Sequence, residues 1–378
     1  MHFDLTDEQR ALSEMVQRFL AREYAFDARK KILRAPDGWS REIWARLAEM
    51  GLLALQVPEA QGGMAPAVVE TMLTMNALGK ALVVEPYLSS AVVGTAIVRS
   101  LAPKAVADDL LPAMAAGERI AVAAHGEPGA RWELARVATT ARRGGAGWVL
   151  SGRKAVVLHA QAADLLLVTA RTSGAVDAPE GLSVFAVPSG TPGVRLVPYP
   201  TIDGQRGADV LLSGVELPPE ALLGPEGGAF PALDAAFDLG TAALCAEAVG
   251  VLQVALDATL EYTRTRKQFG VPIARFQALQ HRMADMLMHV EQARSMGYLS
   301  AMHASSPDVR QRRRSVSAAK VTVGQACRFV GQQAVQLHGG MGVTDELAVS
   351  HAFKRLVAIE QTLGDTEHHL ERFITEGK

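Results

Sequence analysis

From Thr6 onward, apolar residues recur at helical spacing: Leu12, Met15, Val16, Phe19 and Leu20 share one face. Thr6 with Gln9 matches a capping box, so the pattern predicts a helix beginning there. The Ala-, Leu- and Met-rich segments "EIWARLAEMGLLAL", "AVVETMLTMNALGKALVV" and "VADDLLPAMAAGE" continue it, and residues 1–118 read as an all-helical domain. The texture then changes to short β-branched runs broken by Gly, Pro and Asp: "RIAVAAHG", "ARVATTARR", "GWVLSGRKAVVLHA", "DLLLVTART", "GLSVFAVP", "GVRLVPYP" and "ADVLLSGVEL". These seven candidate strands predict a β domain over 119–226, a small barrel or sandwich. Beyond it, "AALCAEAVGVLQVALDATLEYTRTR", "FQALQHRMADMLMHVEQARSMGYLSAMHA" and "SVSAAKVTVGQACRFVGQQAVQLHG" are long amphipathic segments, suited to a helix bundle over 227–378.

The order is helices, strands, helices, without alternating βα units. That excludes a dinucleotide-binding doubly wound sheet, and "HGGMG" lacks the glycine spacing and the preceding strand such a site needs. A chain of 378 residues with 49% hydrophobic content buries a large core without staples. Its 38 basic and 40 acidic residues nearly balance, which gives no electrostatic footprint for nucleic acid or an anionic membrane. Cys245 and Cys327, each inside an Ala-rich helical pattern, are expected to pack as small buried thiols, and no metal-ligand spacing surrounds them. Early acidic residues, including Asp7 and Glu8, differ from a cationic leader, and charges interrupt every apolar run, so a cytoplasmic protein is expected.

Two long motifs carry a resemblance. "YTRTRKQFGVPIARFQALQHRMADM" follows the pattern Arg-x-x-Phe-Gly, a short turn, then Phe-Gln-Ala at a helix start, and "QLHGGMGVTDELAVSHAFKRL" follows Gln-x-x-Gly-Gly-x-Gly. With "DVLLSGVELPPEALLGPEGGAF" at the exit of the β domain, the whole chain resembles the acyl-CoA dehydrogenase family. The resemblance implies FAD at a dimer interface within a tetramer, and desaturation of an acyl-CoA thioester. In that chemistry a carboxylate removes the α-proton while the β-hydrogen leaves as hydride to the flavin. An electron-transfer flavoprotein is the implied acceptor.

The residues suit the cofactor that the resemblance implies. Arg266 can place a planar charged fork on a pyrophosphate, with Gln268 as a neutral donor and Phe269 as an apolar face. Gln277 opens a helix where backbone donors are free, and Gly339 and Gly340 let a backbone approach a ligand closely, beside Gln336. The same types have plain readings as well: a solvated helix-end charge, a surface amide, a helix C-cap. Thr366 fits the family's flavin-contacting threonine.

The chain also departs from the family. Where the family ends in Tyr-Glu-Gly-Thr, with that Glu as base, this chain reads Leu363-Gly364-Asp365-Thr366, and Gly364 holds no proton acceptor. The alternative base position at the start of the first bundle helix is Gly240-Thr241. Glu247, on the same helix face as Gly240 and about 10 Å further along, is the internal candidate base, because desolvation strengthens a carboxylate as a base. Its other reading is a structural Glu paired with a buried Arg. Asp365, one residue from the lost position, is a lesser candidate base and better suits an N-cap of the terminal helix, and His368 and His369 are expected to be exposed on it. In the β domain the expected Thr-Glu-Pro-Gly is Gly126-Glu127-Pro128-Gly129, with Trp132 where a Ser is usual, and the expected Trp-x-Thr is Val156-Val157-Leu158. The flavin face thereby lacks hydroxyl donors. The run Arg310, Arg312, Arg313 and Arg314 is expected to be solvated surface, or to meet an anionic partner.

"AALCAE", "ALQHRMADM", "GVTDEL" and "GDTEHHLERF" resemble a subgroup comprising the small subunit of pimeloyl-CoA dehydrogenase and the subunits of heteromeric steroid-degrading acyl-CoA dehydrogenases. There, two homologous chains form an α2β2 tetramer and one supplies what the other lacks. Three readings follow: one subunit of such an assembly, a self-sufficient homotetramer using Glu247, or a non-catalytic structural subunit.

Overall fold

The computed structural model describes residues 5–145 and 147–377. Contacts divide the chain into two compact units, one of residues 1–31, 69–83 and 241–378, the other of residues 32–68 and 84–240. Among the described residues the helices are α1 (Asp7–Glu23), α2 (Phe26–Arg34), α3 (Arg41–Glu49), α4 (Val68–Ala81), α5 (Thr95–Leu101), α6 (Lys104–Ala115), α7 (Phe230–Thr265), α8 (Gln277–His303), α9 (Val309–His338), α10 (Ala348–Gln361) and α11 (Thr366–Thr375).

The first unit is helical. Thr6 and Gln9 form the expected capping box, with Gln9 N–H donating to Thr6 Oγ1 over 3.2 Å and Thr6 N–H to Gln9 Oε1 over 3.1 Å. Helix α4 crosses α7 at a point made of small residues: a Cβ on Gly79 would lie 2.2 Å from the Glu247 carbonyl oxygen, and one on Gly250 would lie 2.1 Å from that of Asn76. Asn76 Nδ2 donates to the Ala246 carbonyl over 3.2 Å, so backbones in near contact lock the stretch of α7 that carries Glu247. By length and composition α7 could cross a membrane, but 89% of its most apolar window is buried, which makes it a core helix. Cys245 and Cys327 are buried free thiols, and burial pushes the Cys245 thiol up to about 12.

The second unit is built on a sheet of β1 (Ala121–Ala124), β2 (Thr140–Gly144), β3 (Gly147–Leu158), β4 (Leu165–Arg171), β5 (Leu182–Pro188), β6 (Val194–Pro200), β7 (Arg206–Leu217) and the short β8 (Leu222–Leu223). The pairing order is β6-β7-β3-β2-β4-β5-β8, with β1 parallel to β4. Each of the seven candidate strands of the sequence supplies one of β1 to β7. Register shifts between Leu150 and Gly152 and between Lys154 and Val157 mark bulges in β3. At the second, Val156 has φ +54° and is 60% exposed, while its N–H is held by Tyr199 Oη at 3.1 Å and Asp209 Oδ1 at 3.3 Å. The bulge therefore falls where the family's Trp-x-Thr is expected.

Candidate functional site

In the helical unit, the motif after α7 folds as a tight hairpin of β9 (Lys267–Gln268) and β10 (Val271–Pro272). Its two turn residues, Phe269 at φ +52° and Gly270 at φ +81°, give the left-handed pair that a two-residue hairpin turn needs. A phenylalanine is an unusual occupant of that conformation, and this one is 90% exposed, touching Phe276 edge-on with ring centroids 6.0 Å apart. Arg266, Gln268 and Gln277 are exposed around it, and among the described residues no carboxylate pairs with Arg266. Tyr262 near the end of α7 stacks on His338 at the end of α9, centroids 4.4 Å apart, which joins the helix ends that lead into the two long motifs. Gln336, Gly339 and Gly340 are exposed there, and nothing lies within 4 Å of a Cβ built on either glycine. These exposed residues offer one guanidinium, three side-chain amides and the Gly340 backbone, with the Gly339 N–H turned to the Gln336 carbonyl, and no acidic group stands among them. That donor set fits a dinucleotide pyrophosphate.

Glu247 lies elsewhere in this unit, in the bundle interior. Arg355 of α10 donates from Nε to Glu247 Oε1 over 2.6 Å and from Nη2 to Oε2 over 2.8 Å, and both side chains are only 6% exposed. A two-pronged guanidinium therefore occupies both oxygens of the candidate base, the structural alternative that its sequence neighbours left open.

The turn between α10 and α11 is equally committed. Lys320, 1% exposed, points Nζ at the carbonyls of Glu360 (3.0 Å), Thr362 (2.9 Å) and Gly364 (2.5 Å), so a buried cation spends its three donors on the end of α10. Leu363 has φ +58° and Gly364 φ +105°. Asp365 caps α11 by accepting from His368 N–H over 2.8 Å, as its sequence position suggests. His369 departs from expectation: it is 2% exposed, with Nδ1 3.2 Å from Ser317 Oγ and Nε2 2.8 Å from the Leu363 carbonyl. The helix turns it inward because α11 packs on α9. Thr366 donates its hydroxyl to Glu360 Oε1 over 3.1 Å, and Glu360 in turn pairs with Arg328 at 2.9 Å. The arginine run is used within the chain as well. Arg310 Nε donates to the Glu376 carbonyl at 2.5 Å, Arg313 pairs with the Glu376 carboxylate at 2.8 Å, and Arg314 lies 4.5 Å above the Phe373 ring, so these residues dock α11 rather than face solvent alone.

In the β unit, a buried polar cluster joins the two segments expected to face the flavin. Lys154 Nζ, with a fully buried side chain, donates to Glu127 Oε1 (2.7 Å), Thr169 Oγ1 (3.0 Å) and the His125 carbonyl (3.2 Å). Glu127 also accepts from the Thr139 N–H over 3.0 Å. Burial lowers the Lys154 ammonium to about 8, offset in part by Glu127. Burial works to raise Glu127, but the charge and hydrogen bond of Lys154 leave it below the usual carboxylate range. Sequence reasoning missed this cluster. The signal was there: Trp148, Leu150 and Lys154 share one parity of β3, and a charge on the inward parity needs a buried partner.

Three family models match successive stretches of the chain. The acyl-CoA dehydrogenase N-terminal domain matches residues 6–118, the middle domain 123–215 and the C-terminal domain 228–376. Acyl-CoA dehydrogenase FadE12 of Mycobacterium tuberculosis (strain ATCC 25618 / H37Rv) is 30% identical over 357 residues, covering 91% of this chain and 89% of that protein. Among solved structures, the ChsE4-ChsE5 complex from Mycobacterium tuberculosis aligns with TM-score 0.89 at 27% identity, covering 100% of this chain and 98% of the other. A variant of the Tcur3481-Tcur3483 steroid ACAD aligns with TM-score 0.87 at 27% identity, covering 98% of each chain. Domain matches along nearly the whole length leave one conclusion: the chain belongs to the acyl-CoA dehydrogenase family, whose members are FAD-dependent oxidoreductases.

Proposed function

We propose that this chain is the FAD-handling subunit of a heteromeric acyl-CoA dehydrogenase and that a homologous partner chain contributes the carboxylate that takes the α-proton. The observation that carries the reading is the state of the candidate bases: Gly364 offers no acceptor, and both oxygens of Glu247 are taken by Arg355. The open end of α7 and α9 supports cofactor handling, with Arg266 and the Gly340 amide on the pyrophosphate, Gly339 leaving room for it, and Phe269 against a ring across the subunit boundary. Bound FAD supplies the electron sink, and the protein supplies position. The solved structures named for two chains, one of them a steroid enzyme, support a two-chain assembly and a bulky acyl-CoA substrate; an electron-transfer flavoprotein is the acceptor that membership of the family implies.

The test is reconstitution with FAD and acyl-CoA, alone and with the homologous chain. Flavin bleaching is expected only when both chains are present. Bleaching by this chain alone that disappears in Glu247→Gln would establish the self-sufficient alternative, and failure to hold FAD in either setting would leave a structural subunit.

The glycine cradle gives a separate prediction. Gly340→Val meets no atom within 4 Å at its Cβ, so unfolding free energy should move by less than about 0.5 kcal/mol. FAD retention should fall at least roughly tenfold, because the side chain fills the space into which the cofactor's phosphates would come. Fluorescence titration of the apoprotein with FAD, beside a melting curve, separates the two effects.

A further inference from the structure

We propose that His125 is a ligand-facing hydrogen-bond donor, an uncharged imidazole held in the Nε2–H tautomer and presented to a neutral acceptor atom of the flavin ring or of the acyl thioester. The proposal rests on reading the adjoining segments Gly126–Gly129 and Val156–Leu158 as flavin-facing. The hydrogen-bond direction is fixed by Lys154. An ammonium only donates, so Thr169 Oγ1, 3.0 Å from Nζ, must accept from it. The Thr169 hydroxyl hydrogen is then left for His125 Nδ1, 3.1 Å away. The remaining Lys154 hydrogens go to Glu127 Oε1 and the His125 carbonyl, and among the described residues the Thr169 hydroxyl hydrogen has no acceptor but Nδ1, so the relay ends on the imidazole and leaves its hydrogen on Nε2.

A protonated ring would set a second cation beside Lys154 and leave the Thr169 hydroxyl hydrogen without this acceptor. Burial, then the Lys154 charge, accordingly hold the imidazole at about 3. The Phe237 ring, 5.2 Å away and tilted by 53°, holds the plane of the imidazole. His125 is half-buried, and among the described residues no group accepts from Nε2. Its position places it at the flavin-facing junction: Gly126 follows it where the family carries a hydroxyl, and the Gly126 carbonyl accepts from Ala155 N–H over 2.7 Å, beside the Val156 bulge. The charge of Lys154 is balanced by Glu127, so the site offers a neutral donor in a desolvated wall, suited to a carbonyl or imine acceptor rather than an anion.

The experiment uses the FAD-loaded protein in its native assembly. Nitrogen NMR of 15N-histidine protein should show His125 with a bare Nδ1 and a protonated Nε2, unchanged between about pH 5 and pH 7, where Lys154 keeps its proton. His125→Phe preserves the contact with Phe237, and FAD content should stay intact. If the flavin is the acceptor, its visible spectrum and reduction potential shift in this variant without any ligand. If the thioester is the acceptor, the flavin signals stay put and acetoacetyl-CoA binds at least roughly tenfold more weakly. His125→Gln, which retains an amide donor, should recover part of either effect, and Thr169→Val should shift the NMR signals towards mixed tautomers. A protonated Nδ1, or an FAD-loaded His125→Phe protein with unchanged spectrum, potential and acetoacetyl-CoA affinity, overturns the proposal. Should His125→Phe lose FAD or unfold, the NMR tautomer and the glutamine variant decide. A chain that never binds FAD would instead remove the flavin reading, which the tautomer measurement does not depend on.

Discussion

Glu247→Ala should lower the unfolding free energy of this chain by about 3–5 kcal/mol. The mutation leaves the Arg355 guanidinium, in a side chain 6% exposed, without the carboxylate that receives its Nε and Nη2 hydrogens at 2.6 and 2.8 Å. It also does so where α7 and α4 have backbones in contact at Gly79, so collapse around the lost side chain is restricted. Urea unfolding should show a lower midpoint at an unchanged slope. Glu247→Leu combined with Arg355→Met should recover much of the loss, because removing both charges also removes the desolvation cost that the pair carries. A Glu247→Ala protein within about 1 kcal/mol of the parent would contradict a structural pair and return Glu247 to candidacy as the base.

The fold was legible because its signals are local and periodic. The Thr6–Gln9 box, the β-branched runs and the apolar faces of the bundle helices each set one element, and α1, β1 to β7 and the long helices follow them. What escaped was pairing across long separations. Glu247 and Arg355 stand 108 positions apart, and nothing near either names the other. Lys320 looks like an ordinary solvated charge in "SAAKVTV" until α10 ends over it and turns three carbonyls towards its ammonium. His369 looked exposed because neighbouring histidines diverge on a helix, and which one faces inward depends on where α9 lies. Lys154 escaped as well, although its parity with Trp148 and Leu150 in β3 was a local signal that it faces inward. In the candidate site the motifs named candidate cofactor residues, while the state of the candidate bases came only from packing.

Gly364→Glu should fail to create a working base and should cost the chain about 2–5 kcal/mol, from left-handed backbone strain and forced overpacking together. At φ +105° any side chain is strained, and a Cβ at this position would lie 2.6 Å from His369 Nε2 and 2.7 Å from His368 Cδ2. The first of these cannot swing away cheaply, because its ring bridges Ser317 Oγ and the Leu363 carbonyl in a 2% exposed position. Nor can the turn move, since Lys320 holds the carbonyls on both sides of Leu363. A carboxylate added here would therefore point into the histidines, beside a His369 ring whose burial disfavours its protonated form, rather than towards a substrate. His369→Ala in the same chain should return part of the lost stability by opening that volume, yet still yield no flavin bleaching by the chain alone, because the clamp from Lys320 stays in place. Melting curves of the single and double variants, with acyl-CoA reduction of the bound flavin followed by absorbance, check both halves. A fully stable Gly364→Glu chain that bleaches on acyl-CoA without a partner would show that one substitution separates it from a self-sufficient dehydrogenase, whereas instability without activity places the missing base in the architecture of the turn itself.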